Sequence, residues 1–344
     1  MAQKIATLAE VAHAAKVSLM TASRAINQRP GVAEKTRENI LRVAARLGYV
    51  ANRAAQKLSG GQSHVIGVIA TDLENPFIGA LMAGTSEAAW EAGYETLIYS
   101  QIDREKRPSG SVMQLLRQIS DGVTAILPLE FGYLDELAAI HIPIVTIDHR
   151  GEHADFPSIA TDSYAGARSA IEHLIALGHQ KIAYLSGDER LASARERRHA
   201  YTETLLRHGL PIDSSFIATG DFTQQRGFTA TSELLARPQP PTAIFAANDL
   251  SALGAIAAIR EAGLAVPADI SVIGFDDIPA AAQSYPALTT IRQPLHPIGH
   301  AAVRTLCMLI SGERPASPQI TLPTEFILRA STGAPPKTSQ ENAD

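Results

Sequence analysis

Apolar residues recur at helical spacing three times within the first fifty positions. Leu8, Val11, Ala12 and Ala15 line one face of a first helix, Thr21, Ala22, Ala25 and Ile26 continue a second, and Ile40, Val43, Ala44 and Leu47 mark a third. Thr7 and Glu10 have capping-box spacing, which places the first helix start near Leu8. Lys16-Val17 reads as a tight turn, and Ser18 is positioned to cap the second helix. Two helices this short cannot bury their faces alone, so the third is needed to close a small core. From residue 64 the pattern changes. Short β-rich runs at 64–71, 94–99, 122–127, 142–148, 181–186, 243–247 and 271–275 alternate with helical segments such as 78–92, 111–120, 165–177, 198–207 and 252–262. Gly93, Gly178, Gly209 and Gly263 stand just after helical runs, where helices commonly stop. Near-continuous apolar strands alternating with helices predict parallel sheets covered on both faces.

Charge separates the two regions. Residues 1–60 hold ten Lys or Arg (Lys4, Lys16, Arg24, Arg29, Lys35, Arg37, Arg42, Arg46, Arg53, Lys57) against Glu10, Glu34 and Glu38, a balance of +7. The whole chain is −5, so residues 61–344 carry −12. A basic head on an acidic body suits a polyanionic partner for the head alone. Composition adds little else. With 344 residues, 45% of them hydrophobic, a soluble protein of two or three domains is expected. No run of about 18 apolar residues is present. The start leads into a capped helix rather than an apolar signal core, so a bacterial-type cytoplasm is expected. The single cysteine, Cys307, excludes an internal disulfide, and its apolar helical surroundings mark it as packing. No cofactor or metal is expected.

The second helix carries Leu19, Met20, Ser23 and Arg24 toward its N-terminal half, the positions that meet base edges when such a helix enters a major groove. Arg24 can pair two acceptors on guanine, whereas Leu19 and Met20 offer only apolar contact or shape. In the body, ligands are expected beyond the carboxyl ends of the strands, where Asp72, Asp148, Asp162, Asn248 and Asp276 fall.

Together these pieces resemble the LacI/GalR family of bacterial transcription regulators over roughly residues 5–332. The resemblance rests on Val17-Ser-Leu-Met-Thr-Ala-Ser-Arg24, Thr36-Arg37 with Leu47-Gly-Tyr49, Asn52-Arg-Ala-Ala-Gln-Lys-Leu58, Asn75-Pro-Phe77 and Gly178-His179. It continues through Ala194-Arg-Glu-Arg197, Ala247-Asn-Asp249, Gly274-Phe-Asp-Asp277 and Leu288-Thr-Thr-Ile-Arg-Gln-Pro294. Two departures stand out: Ala33 where a Ser often caps the third helix, and Ala51 where a Pro often precedes Asn52.

The resemblance implies an α/β chain with an N-terminal all-α helix-turn-helix head and a two-lobed, periplasmic-binding-protein-like effector domain of doubly wound parallel sheets. The expected domains are the head at 1–51, a hinge helix and linker at 52–63, an effector and dimerisation domain at 64–332, and a disordered tail at 333–344. The N-lobe spans about 64–161 and 292–322, the C-lobe about 162–290 and 323–332. The implied DNA-binding set is Thr7, Ser18, Leu19, Met20, Thr21, Ser23, Arg24, Asn27, Arg37, Tyr49, Asn52, Ala55 and Leu58. In the hinge, Leu58 would wedge into a minor-groove step, and six or seven residues would form a helix only on DNA. The implied effector set is Phe77, Asp148, Asp162, Arg197, Phe222, Asn248, Asp276 and Gln293. Such a set offers carboxylates and amides for hydroxyl pairs, a guanidinium fork and aromatic faces for a mono- or disaccharide. Asp249 is expected to cap the helix starting at Ser251, Asp277 to orient its loop, and His179 to cap a helix C-terminus. The Pro-rich polar tail has no apolar heptad, so a homodimer is expected.

The leading reading is a sugar-responsive, non-enzymatic regulator, most simply a repressor of a pseudopalindromic operator. Inducer and corepressor roles both stay open for the ligand. A transport-type binding protein and an enzyme are the competing classes. The basic head argues against the first, and the want of a nucleophile–base–acid set against the second.

Overall fold

The computed structural model describes residues 6–27, 29–49, 62–70, 72–100, 110–126, 136–149 and 156–336. The head is three helices: α1 (Leu8–Ala14), α2 (Leu19–Ile26) and α3 (Glu34–Arg46). The capping box at Thr7 forms in both directions, with Glu10 N donating to Thr7 Oγ1 and Thr7 N to Glu10 Oε2. Lys16 makes the turn at φ 57°, and Ser18 caps α2 by accepting from Thr21 N. Ala33 opens α3 without a side-chain cap. Val11, Ala12, Ala22, Ala25, Ile40, Val43 and Ala44 close a miniature core, with Tyr49 packed on its edge.

The body contains two parallel sheets. The first joins β1 (Val65–Ala70), β2 (Glu95–Ser100), β3 (Gly122–Ile126), β4 (Ile144–Ile147) and β5 (Ser158–Thr161) with the late strand β11 (Gln319–Leu322), in the order β11-β5-β4-β3-β1-β2. Helices α4 (Pro76–Glu91) and α11 (Leu295–Ile310) cover one face around Ile66, Val68 and Ile147. Helix α5 (Gly110–Ile119) covers the other around Ile69, Met113 and Val123. Gly84 and Gly299 let α4 and α11 touch backbone to backbone, since a Cβ on Gly84 would stand 2.6 Å from His296 O.

The second sheet runs β7-β6-β8-β9, from β6 (Ile182–Leu185), β7 (Ile217–Ala218), β8 (Ala243–Ala246) and β9 (Ser271–Ile273). Its strands are apolar on both faces because both faces are covered. Ile182, Tyr184 and Phe245 meet α6 (Ser163–Ala176) and α7 (Ala192–Arg207), while Ala183, Leu185 and Ile244 meet α8 (Gln224–Leu235) and α9 (Asp249–Glu261). A short α10 (Pro279–Gln283) follows β9. The antiparallel pair β10 (Thr290–Arg292) and β12 (Glu325–Ile327) lies where the chain passes between the sheets. It makes that passage three times: from β5 to α6, from β10 to α11, and from β11 to β12. Among the described residues, no helix is long and apolar enough to cross a membrane.

Several expectations need correction. Helix α7 begins at Ala192, six residues before the expected 198, because Arg195, Glu196 and Arg198 interrupt its apolar period. His179 does not cap α6 through its ring; its backbone N–H does so on Leu174 O. The ring instead ties three segments, within 2.9 Å of Thr242 Oγ1, 3.1 Å of Ser271 Oγ and 2.9 Å of Gly333 O. That also moves the tail. Gly333 donates to Ser271 Oγ and is held in place, so it does not open a disordered segment. Residues 337–344 lie outside the described set.

Candidate functional site

The carboxyl ends of the strands from both sheets face one cavity of about 480 Å³. The segment after β1 brings Asp72, Glu74, Asn75 and Phe77, and the end of β4 brings Asp148. The β6–α7 connection brings Asp188, Leu191, Ser193 and Arg197; β7 leads to Asp221 and Phe222, β8 to Asn248, β9 to Asp276, and β10 to Gln293. This is where open α/β sheets place ligands. Asp148, Phe222 and Asp276 hold φ of 60°, 67° and 126°. Non-glycine residues adopt such values only when their surroundings impose them, and they cluster at functional sites.

The two sheets' polar groups meet inside. Ser193 Oγ donates to Asp148 Oδ2 at 2.5 Å. Thr161 Oγ1 donates to Gln293 Oε1 at 2.7 Å, and Gln293 Nε2 donates onward to Asp276 Oδ1 at 2.7 Å. Arg197 is 3% exposed. Its Nη1 donates to Ala247 O at 2.7 Å, and its Cζ sits 3.7 Å from the Phe275 ring centroid. Its Nη2 donates to Ser163 Oγ at 3.4 Å, and its Nε is buried without a protein partner. Burial drives the Asp276 carboxyl well above the usual carboxylate range, against the pull of the Arg197 guanidinium. Buried carboxylates, an amide and a guanidinium beside Phe77, Phe222, Leu191 and Leu250 can pair with hydroxyls while apolar walls take a ring face.

Seven of the eight expected effector residues line this cavity: Phe77, Asp148, Arg197, Phe222, Asn248, Asp276 and Gln293. Asp162 does not. Its carboxylate caps α6 by accepting from Ala165 N at 2.8 Å. The cap expected of Asp249 is made by Asn248. Asn248 caps α9 by accepting from Ser251 N while donating to Phe222 O. Asp249 is buried, accepting from Thr290 Oγ1 and Ile278 N, and burial pushes its carboxyl up to about 6. Asp277 orients its loop through Arg292 and Arg329. The lining residues not anticipated include Glu74, Asp188, Leu191, Ser193, Asp221, Thr223, Gln224 and Leu250. Gly187 is the signal that was available. A Cβ there would stand 2.0 Å from the Phe222 ring, so only glycine seats that aromatic wall. Among the described residues, no group of three or more His, Cys, Asp or Glu side chains is placed to hold a metal.

The head presents a second surface. Leu19 and Met20 are 55% and 66% exposed at the start of α2, which an apolar core residue would not be. Arg24 is exposed on the same helix, and Ser23 is partly covered, accepting from Asn27 Nδ2. Ser18 and Thr21 hydroxyls bond each other at 2.8 Å, and Thr7 is an exposed cap. Arg37 differs from the rest of the set. Its guanidinium donates to Ala25 O and Arg29 O, tying α3 to the end of α2. Tyr49 packs against the head core. Asn52, Ala55 and Leu58 lie outside the described residues.

Comparison with known proteins agrees with both parts. Residues 7–52 match the model for bacterial regulatory proteins of the lacI family, and residues 171–332 match a periplasmic binding protein-like domain. The HTH-type transcriptional regulator DegA of Bacillus subtilis is 34% identical over 330 residues, covering 95% of this chain and 98% of that protein. Among solved structures, the lac repressor dimer bound to operator and the anti-inducer ONPF superposes with a TM-score of 0.84 at 35% identity, covering 96% of this chain and 100% of that one. The complex of the transcriptional regulator CelR with cellobiose superposes with a TM-score of 0.74 at 29% identity, covering 95% and 99%. A helix-turn-helix head on a two-sheet body with a shared cleft, matched along almost the whole length of proven regulators, places this chain in the LacI family of bacterial transcriptional regulators.

Proposed function

We propose that this chain is a homodimeric repressor whose operator affinity is set by a sugar bound between its two lobes. The carrying observation is that seven residues from both sheets converge on one cavity and are bridged across it by the Asp148–Ser193 and Thr161–Gln293–Asp276 hydrogen bonds. A ligand that replaces or completes those bonds interacts differently with the open and closed arrangements, which is what a conformational shift requires. That solved relatives hold cellobiose or ONPF supports a saccharide class.

In this reading Leu19, Met20, Ser23 and Arg24 face the major groove, and the +7 charge of residues 1–60 supplies phosphate affinity. Residues 52–63 form the hinge, with Asn52, Ala55 and Leu58 at the minor groove, and the lobes divide near 161–162, 290–292 and 322–324. The protein acts where its DNA is, in the cytoplasm.

The test begins with duplexes selected from a random pool by the full-length protein. A pseudopalindromic consensus should emerge, and one member of a saccharide panel should change its gel-shift affinity at least fivefold. Selection without symmetry would refute the dimeric reading, and a complete panel without effect would refute the sugar.

A further inference from the structure

Two adjacent carboxylates just after β9 have different partners. Asp276 lines the cleft and is buried, whereas Asp277, absent from that lining, turns to two arginines. Its Oδ2 accepts from Arg292 Nε at 2.7 Å and its Oδ1 from Arg329 Nη2 at 2.5 Å. The facing segment repeats the arrangement. Arg292 ends β10 half exposed, while Gln293 beside it is buried and donates to Asp276 Oδ1 at 2.7 Å. Backbone bonds join the two segments: Asp276 N donates to Ile291 O at 2.7 Å, and Gln293 N to Asp276 O at 3.2 Å. Neighbouring side chains on extended chain alternate in direction. Two rungs therefore lie side by side, an Asp276–Gln293 hydrogen bond in the cleft and an Asp277–Arg292 ion pair outside it.

The outer rung reaches further. Arg292 Nη1 donates to Glu325 Oε2 at 3.0 Å, its register partner in the β10–β12 pair, and Arg329 Nη1 donates to Leu288 O at 2.8 Å. Strands β10 and β12 carry two of the three passages between the sheets, so Asp277 ties the turn after β9 to both. That turn is strained, with φ of 126° at Asp276 and 60° at Asp277, and such backbone persists only where its surroundings over-determine it. We propose that Asp277 is a positioning residue for the effector: without touching the ligand, its bonds to Arg292 and Arg329 hold the turn in the setting that presents Asp276 to the cleft. The inference rests on the sugar-effector reading and adds to it a residue outside the cavity. Charge-assisted bonds to guanidinium are strong, and the Asp277 side chain is 8% exposed, so solvent screens them little. A binding group has to be held within about 0.5 Å of its productive place.

The experiment uses Asp277→Asn, which suits the left-handed φ but removes the carboxylate, and Arg292→Gln, a half-exposed change that leaves the core alone, both in the full-length protein. Calorimetry with glucose, galactose, cellobiose and lactose identifies a sugar that binds the parent. Asp277→Asn should weaken it at least tenfold and Arg292→Gln at least threefold, and both losses should shrink to within twofold when Asp276→Asn is already present, because the clamp acts through Asp276. Hydrogen exchange on the ligand-free protein supplies a reading that needs no sugar. In Asp277→Asn the amides of Asp276 and Gln293 should exchange at least tenfold faster while those of β8 stay unchanged. Sugar affinity within twofold of the parent in Asp277→Asn overturns the proposal, as does a full loss that persists in the Asp276→Asn background. Exchange unchanged at Asp276 and Gln293, or accelerated equally in β8, overturns it too. If no sugar binds the parent, the sugar reading fails by itself, and the exchange rates still decide whether Asp277 holds the turn.

Discussion

Asp276→Asn separates a ligand-binding carboxylate from a merely structural one, because the two roles move different observables. The substitution keeps the shape and one carbonyl oxygen, so Gln293 Nε2 retains an acceptor where it now sits 2.7 Å from Oδ1. Asparagine also tolerates the positive φ of this position. What disappears is the ability to ionise. A hydrogen bond to a charged group contributes about 1.5–3 kcal/mol and a neutral one about 0.5–1.5. Each ligand hydroxyl held by the ionised form of Asp276 therefore loses about 1–1.5 kcal/mol, roughly tenfold in affinity, or about a hundredfold for two hydroxyls. Stability should move the other way. Burial holds the Asp276 carboxyl well above its ordinary range. A group raised in the folded state contributes stability that is complete at low pH and is lost as pH rises. Asparagine removes that titration, so the ligand-free variant should melt no lower than the parent and should gain on it as pH rises. Calorimetry with a sugar that binds the parent, a melting curve and an operator gel shift form the assay. Sugar affinity within twofold of the parent would refute the cleft assignment, and a large drop in melting temperature would refute the electrostatic argument.

Three further outcomes follow from the geometry. Gly187→Ala drives the Phe222 ring from its seat and should weaken sugar binding at least tenfold while leaving operator binding intact, read by calorimetry and gel shift. Asp249→Asn should flatten the pH dependence of stability. The carboxyl is raised to about 6, so the parent loses stability as pH climbs from about 4 to 6 and the variant should lose less across that window, measured by urea unfolding at several pH values. Leu19→Ala and Met20→Ala remove exposed side chains; each should leave folding stability nearly unchanged, within about 0.5 kcal/mol by urea unfolding, yet reduce discrimination between operator and random duplex in gel shifts.

Local grammar made the head legible. Thr7 with Glu10, and Ser18 before Leu19, announce helix starts through short-range hydrogen bonds that the chain makes with its own neighbours. The cleft was legible for a different reason. Parallel strands bring their carboxyl ends together, so polar residues just past those ends converge even when 70 to 220 positions apart, as Phe77, Asp148 and Gln293 do. What stayed hidden turns on which of two nearby groups a carboxylate meets. Asp162 sits at a strand end like Asp148, but a free N–H in the first turn of α6, that of Ala165, claims it. Asn248 and Asp249 are adjacent, and only the packing of Thr290 and the Ile278 amide decides that Asp249 turns to them while Asn248 caps. His179 shows the same limit, since Thr242, Ser271 and Gly333 reach its ring from distant segments.

The central claim is coupling between the cleft and the head, and linkage gives it a direct measurement. The affinity of the identified sugar is determined twice by calorimetry, on the free dimer and on the dimer saturated with selected operator duplex, beside operator affinity with and without sugar. Coupling is reciprocal, so both ratios must be the same number, and values in the usual allosteric range of about 5- to 150-fold are expected. Equal sugar affinities in the presence and absence of operator would contradict the account, however tightly each ligand binds on its own.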